Sequence, residues 1–177
     1  MQDNLEKLVY KAKEGDKNAF GEIYKTFVKK IFRFIYYLVY DRELAEDLTQ
    51  LVFLKAYKSL PSFLPSKGTF QAYLYAIARN QVIDYQRRKK ELSLDEVDEP
   101  AAIFEIDNEV IQTENKNTVD KLLATLDDDD KQLIIWRYFE ELQFAEIAEI
   151  LNENEGSIRV KMHRLLKKLK ERVEKQV

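Results

Sequence analysis

Apolar positions recur every three or four residues through much of the first ninety. Phe20, Ile23, Tyr24, Phe27, Ile31, Phe34, Ile35 and Leu38 follow that spacing, which predicts the buried stripe of one long helix. The same period returns in DRELAEDLTQLVFLKAYKSL. There Ala45, Leu48, Val52 and Ala56 share an inward face, while Glu43, Glu46, Asp47, Gln50 and Leu54 share another arc. Two prolines and Gly68 then predict a loop from Pro61 to Thr69 that exposes Phe63 and Leu64. A helix with Phe70, Tyr73 and Tyr75 follows and continues through ARNQVIDYQRRKK. Tyr73, Leu74 and Ile77 are expected in its core face, while aromatics beside basic residues can also stack unpaired bases.

The last fifty residues parse into three shorter helices. Asp127 is a plausible N-cap, with Asp128, Asp129 and Asp130 well placed in the first turn by the helix dipole. A short helix from Phe144 to Leu151 groups Phe144, Ile147, Ala148 and Leu151. The turn Asn152-Glu153-Asn154 ends in a residue able to cap the next helix, which opens at Glu155. Its seam is Ile158, Met162, Leu165, Leu169 and Val173. Ser157, Val160, Lys161 and Arg164 point away from that seam, with Gly156 and His163 at the margin. A short helix, a tight turn and a helix with a polar, basic outer face is the geometry that enters a DNA major groove. Arg and Lys read guanine or grip phosphate there, and Val160 suits a thymine methyl.

Composition narrows the class. Only four glycines and three prolines in 177 residues leave little room for a turn-rich β fold, so an all-α protein is expected. With no cysteine and a single histidine, disulfides and thiolate metal sites are excluded. Neither an apolar run of transmembrane length nor a signal peptide is visible, which fits a soluble, cytoplasmic protein. The net charge of −3 is unevenly spread. Residues 1–90 carry 17 basic and 10 acidic side chains, residues 91–117 carry 1 and 9, and residues 118–177 carry 11 and 13. Two small helical domains, 1–90 and 118–177, are therefore expected on either side of an acidic flexible linker at 91–117. The linker reads as a solvated tether, or alternatively as a mimic of nucleic acid in a basic channel.

The two domains resemble parts of one family. RYFEELQFAEIAEILNENEGSIRVKMHRLLKKLKERV looks like the fourth domain of bacterial sigma factors, the reader of the minus-thirty-five promoter element. The resemblance implies a DNA-reading role for Glu155, Ser157, Arg159, Val160, Lys161, His163 and Arg164. Val160 stands where that family often has a small polar residue, and Gln143 replaces its usual Ser cap.

Residues 17–90 resemble the second sigma domain, which binds core RNA polymerase and opens the minus-ten element. An acidic arc holding an apolar residue suits a protein partner better than phosphates. By resemblance, Glu46, Asp47, Gln50 and Leu54 dock on the clamp helices of the largest polymerase subunit, while the second subunit's flap is a further contact. The resemblance also gives the 61–69 loop the role of holding a base flipped from the melted strand, with Phe63, Leu64 and Lys67 as its residues. Asn80, Asp84 and Arg87 fall within roughly 60° on the following helix, with Arg88 adjacent. Asn pairs with adenine, Asp orients Arg, and the Arg-Arg-Lys-Lys end meets phosphates. These positions match the family's minus-ten reading surface. Tyr73 replaces a usual Trp, and Gln71 and Ala76 replace usual basic residues, which makes the melting surface less cationic. Without a first or third sigma domain, the resemblance points to the short extracytoplasmic-function class and implies an anti-sigma partner.

No phosphate-cradling glycine motif, nucleophile–base pair or metal-ligand cluster is present, so neither catalysis nor a cofactor is expected. The competing reading is an autonomous helix-turn-helix regulator of closed duplex DNA. It gives no reason for an acidic helix, an aromatic loop and a basic helix in that order. An adaptor that binds only protein leaves the basic faces unexplained.

Overall fold

The computed structural model describes residues 2–92 and 122–174, and among them there is no strand. Beyond its first two residues, the acidic segment 91–117 lies outside the described residues. Four helices make the N-terminal domain: α1 (Gln2–Lys13), α2 (Lys17–Val39), α3 (Arg42–Ser59) and α4 (Phe70–Leu92). Local chemistry sets the breaks. The Asp16 carboxylate accepts from the backbone N–H of Asn18 and Ala19 and opens α2. Tyr40 adopts a left-handed conformation (φ 51°) that ends α2, and Asp41 caps α3 by accepting from Leu44 N–H. Between α3 and α4 two short 3-10 turns, Leu60–Ser62 and Pro65–Lys67, replace the open loop expected from the sequence.

The apolar stripe of α2 lies in the core, with Ile23, Ile31, Phe34 and Ile35 wholly enclosed. Tyr24 departs from the expectation. It is 40% exposed, lying edge-on against Phe53 at the domain rim. On α3 the expected face is buried, and Thr49 and Phe53 join it. Phe70 and Tyr75 are also buried, so neither is available to stack a base, whereas Tyr73 and Ile77 are half-buried.

The C-terminal domain contains α5 (Asp128–Ile134), which runs on as a π-helical turn over Ile135–Phe139, then α6 (Phe144–Leu151) and α7 (Glu155–Glu174). Asp127 caps α5 through Asp130 N–H at 2.8 Å, and Asn154 caps α7 through Ser157 N–H at 2.8 Å. The missing Ser cap of α6 is offset by Glu146, whose carboxylate accepts from Gln143 N–H at 2.8 Å. Left-handed Asn152 (φ 52°) ends α6. Ile158, Met162, Leu165 and Leu169 form the buried seam of α7, while the side chain of Val173 lies outside those described.

The two domains touch. Trp136 stacks on Phe34 of α2 with centroids 5.4 Å apart, and Tyr75 of α4 meets the same Phe34 edge-on. The sequence pattern predicted two separate cores, and this shared aromatic cluster joins them. α5 and α6 lie along α2 and α4, leaving α3 on the far side of the N-terminal domain.

Candidate nucleic-acid and protein interfaces

On α3 the arc of Glu46, Asp47, Gln50 and Leu54 is exposed, as the pattern predicts. Leu54 is 49% open and Leu51, one turn before, is 45% open, which puts two leucines beside three polar groups. Glu46 is tied locally to Arg42 at 3.1 Å. Among the described residues, Asp47 and Gln50 make no ion pair or side-chain hydrogen bond, so both are available to a partner.

The turn between α3 and α4 departs from the expectation at its centre. Phe63 is not exposed. It is 7% accessible and sits edge-on to Phe70 and tilted against Tyr73. Its carbonyl accepts from Lys13 Nζ at 2.6 Å, which pins the turn to α1. A phenyl ring gains more from closing on two neighbouring rings than from facing water, and that decides its orientation. Leu64 (47% open) and Lys67 are exposed. Gly68 then takes φ +150°, a conformation that disfavours a side chain, and the Glu149 carboxylate of α6 fills the place a Cβ would need. Thr69 caps α4 by accepting from Ala72 N–H. Its own hydroxyl donates to Glu146, and its backbone N–H donates to Glu149.

Farther along α4, Asn80, Arg87 and Arg88 are exposed and Asp84 is half-buried. Asp84 accepts from Arg87 at 3.2 Å, the orienting contact expected between them. The C-terminal domain holds a different side of the helix. Arg79 donates to Gln132 at 3.0 Å, and Gln86 donates to Asp128 at 2.9 Å. At 100° per residue, that side lies roughly 90–150° from Asn80, Asp84 and Arg87, so the face they share stays open to solvent.

On α7, Arg159, Val160, Lys161, His163 and Arg164 are exposed, and Ser157 and Glu155 are half-buried. Two of the cations are already engaged. Arg159 pairs with Glu155 and stands over the Phe144 ring at 4.8 Å, while Lys161 pairs with Glu153. Arg137 lies over the same ring at 4.9 Å, so one aromatic ties the turn, α6 and α7 together. Among the described residues, the side chains of Arg164 and His163 make no ion pair or hydrogen bond.

Residues 23–91 match the family model described as Sigma-70 region 2, and residues 116–169 match Sigma-70, region 4. The chain is 31% identical over 176 residues to the ECF RNA polymerase sigma factor SigW of Bacillus subtilis (strain 168), covering 93% of this chain and 94% of that one. The chain belongs to the ECF RNA polymerase sigma factors. SigM of the same organism is 30% identical over 152 residues, covering 84% of this chain and 91% of that one. Two solved structures share the fold. CnrH in complex with the cytosolic domain of CnrY matches with a TM-score of 0.71 at 20% identity, over 96% of this chain and 97% of that one. RpoE of Bartonella quintana, in complex with the anti-sigma factor NepR, matches with a TM-score of 0.68 at 21% identity, over 88% and 96%. The reading as an autonomous helix-turn-helix regulator is set aside on these matches. Sigma factors are DNA-binding transcription initiation factors.

In this sigma factor the residues that join the domains escaped the sequence reading. Glu140 has a side chain fully removed from solvent, accepting from Arg33 Nε at 3.1 Å and lying 3.9 Å from Lys30 Nζ. The buried Tyr75 hydroxyl lies beside it. Burial first, and the Glu140 carboxylate second, push its ionisation well above the ordinary value, with Arg33 opposing. One of two adjacent glutamates in a short turn, EEL, carries no periodicity that marks it as buried. Among the described residues no helix is long and apolar enough to cross a membrane.

Proposed function

We propose that residues 1–90 dock on core RNA polymerase and hold the melted minus-ten strand, that residues 118–177 read the minus-thirty-five element, and that residues 91–117 tether them. The observation that carries this is the simultaneous exposure of three chemically distinct faces: Asp47, Gln50 and Leu54 on α3, Asn80 and Arg87 on α4, and Val160 and Arg164 on α7. The first suits the clamp helices of the largest subunit. On the second, Asn80 pairs with adenine while Asp84 aims Arg87, and Leu64 and Lys67 meet the strand. Phe63 supports that turn from within.

On the third face, Arg164 and Val160 meet base edges, Lys161 and Arg159 meet phosphates, and Glu155, Ser157 and His163 flank them. The flap of the second subunit is the further contact of the C-terminal domain. Opening of the duplex is driven by binding energy for the single strand, with no bond made or broken by the protein and no cofactor. The chain works in the cytoplasm under an anti-sigma partner, a reading supported by the complexes in which its structural relatives were solved.

The test is co-elution of the purified chain with bacterial core polymerase by size exclusion. A stoichiometric complex that Asp47→Ala and Gln50→Ala together abolish is the expected result. No complex, alongside tight binding of closed duplex by the chain alone, rejects it.

A further inference from the structure

Among the described residues of the N-terminal domain three tyrosines are exposed, Tyr10, Tyr24 and Tyr57, and they are not equivalent. Tyr24 lies edge-on against Phe53 and Tyr57 edge-on against Phe20, so each of those rings is already engaged. Tyr10, on α1, meets no other ring among the described residues and is 67% open. It forgoes the burial that the domain's other aromatics gain, and its flat face is free for a ligand.

The surroundings of that ring are charged rather than apolar. Tyr10 borders an open depression on α1 that Asn4, Glu6, Lys7, Leu8 and Lys11 also line. At 100° per residue, Lys7 stands about 60° and Lys11 about 100° from Tyr10, both on the same side and within one turn. Among the described residues, neither lysine makes an ion pair or a side-chain hydrogen bond. Glu6 and Glu14 stand about 40° to either side of the ring, one turn before it and one turn after. An anionic chain crossing Tyr10 is therefore steered to the edge that Lys7 and Lys11 form.

The place of α1 in the fold says which chain that is. Lys13, about 5 Å along the axis from Tyr10, donates to the Phe63 carbonyl at 2.6 Å, and α1 packs against the 3-10 turn Leu60–Ser62. The same connection exposes Leu64 and Lys67, the pair assigned above to the melted strand. Tyr10 thus lies within a few nucleotides' reach of a strand leaving that turn. A duplex keeps its base faces stacked inside, so an exposed ring with cations beside it suits unpaired nucleotides.

Resting on the reading of the turn as a strand-binding element, we infer that α1 is an additional site for single-stranded DNA. Tyr10 stacks the base of a nucleotide beyond the turn, and Lys7 and Lys11 hold the flanking phosphates. Every base has a π-face, so the site responds to the presence of a base and not to its identity. It lengthens the stretch of strand that is held without adding a sequence requirement.

The test is an abasic scan. Core polymerase carrying the full-length chain is titrated with a duplex that this holoenzyme selects from a randomised library. The melted region is held open by mismatches, and abasic nucleotides are placed one at a time along the non-template strand. Wild type is expected to lose about tenfold in affinity at one position outside those coupled to Asn80→Ala. Tyr10→Ala is expected to lose about tenfold on the intact strand and nothing further at that position, and Tyr10→Phe to restore both readings. Lys7→Gln with Lys11→Gln is expected to reduce the salt slope of binding by about 1–2. If no abasic position is coupled to Tyr10 while one is coupled to Asn80, the α1 site is rejected and the reading of α4 stands. Coupling to neither, or failure to select any duplex, rejects the two-element reading and this site with it. A Tyr10→Ala variant that instead loses affinity for core polymerase makes the ring a protein contact and overturns the inference.

Discussion

α4 and α7 both carry a face assigned to DNA, and they hold their charges differently. On α4, Arg87 is turned by a neighbour on its own face, Asp84, and both belong to the surface proposed to meet the strand. On α7, Arg159 and Lys161 are drawn back to Glu155 and Glu153. Those carboxylates flank the surface at the start of the helix, leaving Arg164 as the uncommitted cation among the α7 residues assigned to DNA. An exposed ion pair contributes little to stability, about 0–1 kcal/mol, yet it must be exchanged for phosphate on binding. The lesson is that cation count overstates what α7 offers. Its net electrostatic gain comes mainly from Arg164, whereas on α4 the pairing is part of the reader.

The largest test of this comparison removes the scaffold under each face. Ile158 beneath α7 and Leu74 beneath α4 are both fully enclosed. Each change to Ala is expected to cost about 2–5 kcal/mol. The effect on fold differs, because the C-terminal domain has the smaller core. Ile158→Ala should melt α7 at lower urea than Leu74→Ala melts α4, as followed by hydrogen exchange.

Next in size is Arg164→Ala, expected to weaken binding to the upstream element by about 1–3 kcal/mol and to relax base preference at one position. Titration against a panel of single-base variants measures it. Unchanged affinity and selectivity would remove Arg164 from the reading face.

Smaller still is Arg159→Ala, expected to cost about 0.5–1 kcal/mol, split between DNA affinity and its cation–π contact with Phe144. The salt dependence of binding should fall less than for Arg164→Ala, since Glu155 already neutralises part of this charge. Equal slopes for the two variants would show that the pairing does not restrain Arg159.

The smallest effect at neutral pH belongs to Tyr75. Its folded ionisation lies above the unfolded value near 10.0, so it contributes stability that is complete below that value and is lost as pH rises beyond it. Tyr75→Phe should lose stability less steeply than wild type above pH 10 in urea melts, with little difference between them at pH 7. Parallel slopes would place Tyr75 in contact with water.

Much of this was legible in the sequence because it rests on local rules. The α6–turn–α7 unit appears with the bounds that Asn152, Asn154 and the apolar spacing imply, and the arc on α3 faces solvent as its period requires. What escaped was set by distant partners. Phe63 lies in a turn flanked by prolines and reads as exposed, until Phe70 and Tyr73 supply rings for it to close on. Tyr24 fits the α2 stripe but falls at the rim, where the stripe runs out of neighbours. Arg33 and Glu140 are 107 positions apart, and nothing in either's surroundings names the other.

The stretch between Leu92 and Leu122 has a consequence for how closure responds to abundance. Because both faces of the domain contact sit on one chain, each sees the other at an effective concentration on the order of millimolar, whatever the protein's own level. Closure is thus a unimolecular equilibrium that dilution does not shift. A contact too weak to join two separate proteins is strong enough here, because each domain carries the other with it.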